Sequence, residues 1–103
     1  MGKELKEAKE TKETKETKEA SEATRIAVIG IIIEDRDQAS GVNELLHEYG
    51  KFIIGRMGLP YEKKQLHIIS VILDAPMDVI NTLSGKLGRI PGVSTKALYT
   101  KAE

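Results

Sequence analysis

The chain has 103 residues, room for one domain, with no cysteine and 16 basic side chains balanced by 16 acidic ones. That composition excludes a disulfide framework, a zinc-thiolate site and a cysteine nucleophile. It also lacks the basic excess usual in nucleic-acid binders, so direct nucleic-acid binding is not expected. The N-terminus has no apolar segment of the signal-peptide kind, and no apolar run approaches the ~20 residues a membrane-spanning helix needs. The expected location is the cytoplasm, with no membrane partner.

Residues 1–24 form a charged tail with six lysines and seven glutamates, and Lys9 to Glu19 reads KETKETKETKE. A three-residue repeat of this kind buries nothing that would offset the entropy of ordering. Its Lys-to-Glu pairs four apart run in the weaker orientation for a helix. The tail is expected to be disordered or a fraying helix, and to act as a solubilising leader. The folded part is then 25–103, a domain small enough to bury only roughly 60% of its unfolded surface, for which oligomerisation is one source of extra stability.

From Arg25 the texture changes. RIAVIGIII (25–33) is β-branched and apolar at both alternating positions, as a central strand is. EDRD then opens a helix with Asp37 as its expected N-cap. Ala39, Val42, Leu45, Leu46 and Tyr49 recur at helical spacing, and Gly50 follows as the expected C′ residue. KFIIGRMGLPY (51–61) reads as a second strand that Gly55 and Gly58 weaken, at a bulge or a close backbone approach. EKKQ is a polar turn. LHIISVIL (66–73) is a third strand, apolar at both alternating positions. Pro76 suits the start of the next helix, whose stripe is Met77, Ile80, Leu83, Leu87 and Ile90. GVSTKALYT (92–100) is the last strand.

The order β-α-β-β-α-β is the split βαβ pattern, a ferredoxin-like α+β sandwich with a four-stranded antiparallel sheet and two helices on one face. In that topology the first and third strands are central, and they are the two most apolar here. No helix remains for the other sheet face, yet those strands carry apolar residues on both sides. A bare apolar face of this kind marks an interface, so the domain is expected to be a homo-oligomer, a dimer or a tetramer.

The stretch EDRDQASGVNELLHEYGKFIIGRMGLPY followed by ISVILDAPMDVINTLSGKLGRIPGVSTKAL resembles the iron-only hydrogenase system regulators, a small family with an ACT-like fold. The likeness is most specific at HEYG (47–50), GRMGLPY (55–61) and GKLGRIPGV (85–93). It extends to the C-terminal domain of the nickel-responsive repressor. The resemblance implies a regulatory role linked to an iron-only hydrogenase system. It brings no nickel site, because the chain has only His47 and His67 and no thiol. ACT-like domains often hold small ligands at the loop between the first strand and first helix, which makes Asp35, Asp37, Ser40, Gly41 and Asn43 the candidate ligand-binding residues. Ser40 and Gly41 would offer backbone donors to an anion at the helix start.

The remaining polar features have plainer readings. His47 suits a helix C-terminus, and His67 would meet a metal only with help from other subunits. Glu34, Asp35 and Asp37 could bind a hard cation, but capping a strand–helix turn accounts for them. GRMGLPY and LSGKLGR lack the spacing of nucleotide loops, and Gly85 and Gly88 fit close helix–sheet packing better. Arg56, Lys86 and Arg89 could hold an anion or lie solvated. No nucleophile–base order or poised carboxylate pair points to catalysis. The expected function is a non-enzymatic regulatory module, without a cofactor, that senses a small ligand or a protein partner. An assembly factor of the same pathway with no ligand of its own is the alternative.

Overall fold

The computed structural model describes residues 23–101, so the expectations for the tail up to residue 22 lie outside the described residues. Four strands and two helices follow in the expected order: β1 (Arg25–Ile33), α1 (Ala39–Glu48), β2 (Ile53–Tyr61), β3 (Leu66–Ala75), α2 (Met77–Gly88) and β4 (Val93–Tyr99). They make one antiparallel sheet in the order β2-β3-β1-β4. The two most apolar strands therefore occupy the middle, where both backbone edges are paired.

Strand parity decides which side chains reach the core. Successive side chains point to opposite faces, so Ala27, Ile29, Ile31 and Ile33 line one side of β1, and Ile69, Val71, Leu73 and Ala75 line the same side of β3. All of these are buried. Val42 and Leu46 of α1 and Ile80, Leu83 and Leu87 of α2 close over them, giving a single core with no buried charged residue among the described residues. Both helices thus cover one sheet face.

Several local details differ from the sequence reading. Asp37 does not cap α1. Asp35 caps a short 3-10 turn at Arg36–Gln38 through a 3.1 Å bond from the Asp37 backbone N–H, and α1 starts behind Gln38, which makes no side-chain cap. The extra turn moves the capping role two residues upstream. Gly50 does not take a left-handed conformation. It opens a second 3-10 turn (Gly50–Phe52), which delays β2 to Ile53. Gly55 does mark a bulge, since the register with β3 shifts between Ile53 and Gly55. Gly88 lies against Thr95 of β4, where a Cβ would sit 3.5 Å from its methyl group, whereas at Gly85 the nearest group is the Arg89 guanidinium. The glycine that the backbone requires is Gly92. Its φ is +75°, and a Cβ there would lie 2.6 Å from the Asp35 Cβ.

Candidate functional site: the open face of the sheet

The β1–α1 loop is held from below by the turn before β4. The Gly92 carbonyl accepts from Glu34 N at 2.7 Å and from Asp35 N at 3.4 Å. Within this loop Asp35 and Asp37 come together, but through the internal cap rather than around an open space. Ser40 and Gly41 are exposed on the first turn of α1. Asn43 is committed at both ends of its amide: Nδ2 donates to the Ala39 carbonyl at 3.0 Å, and Oδ1 accepts from Arg56 of β2 at 2.6 Å. Arg36 pairs with Glu62 at 3.1 Å across the exposed end of the domain. Asp35 and Asp37 thus belong to the turn before α1, Ser40, Gly41 and Asn43 to α1 itself, and Asn43 is engaged with β2. Among the described residues no three His, Asp or Glu side chains converge as a metal site. The basic residues are dispersed: Arg56 serves Asn43, and the Lys86 ammonium lies 5.4 Å from the Tyr49 ring centre.

The larger feature is the sheet face opposite the helices. The pairing register places Ile26, Val28, Gly30 and Ile32 of β1 there, with Leu66, Ile68, Ser70, Ile72 and Asp74 of β3. Met57, Leu59 and Tyr61 join from β2, and Ser94, Lys96 and Leu98 from β4. Most of its apolar side chains are exposed, with Ile32 41% accessible, Met57 69% and Leu98 72%, while Leu66 and Ile68 are half-buried. Asp74 and Lys96 are its two charged strand residues.

This face is not flat. Gly30, Ser70 and Lys96 lie side by side on three adjacent strands, with Ser94 next to Ile32. A Cβ at Gly30 would meet nothing within 4 Å. The missing side chain leaves a depression of about 440 Å³, walled by Ile32 and Ile68 and edged by Ser70, Ser94 and Lys96. A smaller hollow of about 210 Å³ lies further along the face between Ile26, Val28 and Leu98. The sequence reading found the apolar face but missed the depression. The signal was present, since Gly30 is the one non-β-forming residue in the middle of RIAVIGIII, but its neighbours are set by register and not by chain order.

Comparison with known proteins fits this fold. A family model described as TM1266-like, iron-only hydrogenase system regulator, matches residues 25–97, the whole of the sheet but its last two residues. The chain belongs to this family. The protein TM1266 from Thermotoga maritima, itself described as uncharacterized, has a solved structure that superposes with a TM-score of 0.72 at 40% sequence identity. That match covers 76% of this chain and 99% of the Thermotoga chain. No curated protein matches. The regulatory designation of the family is provisional, and it is the functional information that membership carries. Among the described residues, no helix is long and apolar enough to cross a membrane.

Proposed function

We propose that this TM1266-like protein is a non-enzymatic regulatory module of an iron-only hydrogenase system that works by self-association through the open face of its sheet, responding there to a small ligand or a protein partner. The observation that carries the reading is the apolar surface of that face, formed by Ile26, Val28, Ile32, Ile72 and Leu98 with Met57 and Leu59. Four strands ~4.8 Å apart and about nine residues long at ~3.3 Å each span roughly 600 Å² in plan. Side-chain relief brings this toward the ~800 Å² per partner of a standard interface. With one acidic and one basic strand residue on it, the face carries no net charge to repel a second copy. Identical chains meeting on one such patch close as a two-fold dimer.

Sedimentation of the full chain at micromolar concentration tests this. A dimer, or a tetramer of dimers, is expected, and Ile68→Lys on the open face should give a folded monomer. A wild-type monomer under the same conditions would refute the interface.

A further inference from the structure

We propose that the depression at Gly30 is a binding site for a small aliphatic carboxylate, and that filling it strengthens the pairing of two copies. The proposal rests on the face-to-face assembly above and adds a ligand class and a regulatory link to it. At about 440 Å³ the depression falls within the range of small-molecule sites, which are mostly apolar with a few polar groups that fix orientation. Its walls are the Ile32 and Ile68 side chains, suited to an alkyl chain, while Ser70 and Ser94 offer hydroxyls and Lys96 a cationic head. Among the described residues Lys96 forms no ion pair. No carboxylate of the described residues lines the depression: Asp74, opposite Ile26, and Glu34, whose backbone N–H donates to the Gly92 carbonyl, each lie four residues from Gly30 along the line of β1, ~13 Å away. The depression therefore has a donor for an anion and no acid of its own, so the α-ammonium of an amino acid would find no counter-charge there.

Assembly makes the case stronger. Pairing two open faces would desolvate Lys96, and a buried ammonium without a partner is costly. A carboxylate in the depression supplies the missing charge and a hydrocarbon filling together. Since it then binds the assembled form better than the separate chains, it must also tighten assembly.

The probe is octanoate, titrated into the full-length protein by calorimetry with sedimentation in parallel. We expect saturable binding of one octanoate per chain and at least a tenfold tighter dimer in its presence. Gly30→Val, which adds a strand-favouring side chain where there is open space, should fold and lose binding. Lys96→Met should weaken octanoate at least tenfold yet bind octanol as the wild type does, and leucine should bind at least tenfold more weakly than octanoate. A dimer that binds no octanoate up to millimolar concentration overturns this inference and leaves the interface standing. So does octanoate binding that is indifferent to both substitutions. Assembly that ignores octanoate and is lost in Asp74→Asn also overturns it, by showing that Asp74 of the second copy supplies the charge. A monomer in the absence of octanoate overturns the interface instead.

Discussion

At Gly92 a positive φ and a close approach coincide. Replacing it with alanine costs about 1–2 kcal/mol for the left-handed backbone alone, and the methyl group must also displace Asp35. A domain of this size loses about 4–8 °C of melting temperature per kcal/mol, so Gly92→Ala should lower Tm by at least about 5 °C in a thermal melt. Gly41 is its counterpart: inside α1, with nothing within 4 Å of a Cβ. There alanine should stabilise the protein by about 0.4–1 kcal/mol, through the unfolded chain. Thr95 gives a third test. Its Oγ1 is buried with no hydrogen-bond partner among the described residues, while Gly88 leaves room beside its methyl group. Thr95→Val should therefore raise stability by about 1 kcal/mol by removing an unsatisfied hydroxyl. In the sequence Gly92 stands out only as the first residue of the last strand segment, because the contact that constrains it comes from Asp35, far away in the chain.

The elements were legible where one pattern dominates. Continuous β-branched apolar runs fix two strands, RIAVIGIII and LHIISVIL, and the spacing of Val42, Leu46, Ile80, Leu83 and Leu87 fixes two helices, because burial of one helix face enforces that repeat. The ends were less legible: short 3-10 turns absorb residues 36–38 and 50–52, and their extent depends on how loops close and not on a repeating pattern. The depression was illegible for the same reason, being assembled from single small residues on different strands. Parity makes the face assignment testable. Ile29 and Ile68 sit on opposite faces of the sheet, Ile29 fully buried in the core and Ile68 half-buried on the open face. Ile29→Lys should prevent folding, seen as loss of the cooperative unfolding transition, since a lone charge cannot be accommodated in the core. Ile68→Lys should keep native circular dichroism and change the sedimenting mass. Leu87→Ala on α2 should cost about 2–5 kcal/mol in denaturant unfolding, the usual range for a fully buried leucine.

At the scale of the molecule, self-association predicts a melting temperature that rises with protein concentration, because a partner that binds only the folded chain stabilises it by mass action. A melt unchanged between about 1 and 100 μM protein, a range chosen to span ordinary dimer affinities, would contradict the assembly. The central position of β1 also sets how the chain is made. Ile29 pairs with Val71 on one side and Ala97 on the other. At about 5–20 residues per second of synthesis, Val71 is added roughly 2–8 s after Ile29, and Ala97 roughly 3–14 s after it. For that interval nine residues with almost no polar side chain wait without either partner strand, a segment of the kind that nucleates aggregation. The Lys-Glu-Thr triplets at 9–19 precede that segment in the chain. Charged residues near hydrophobic strands act as gatekeepers, so deleting residues 1–22 is expected to increase aggregation of the chain during synthesis, read as a larger insoluble fraction on expression.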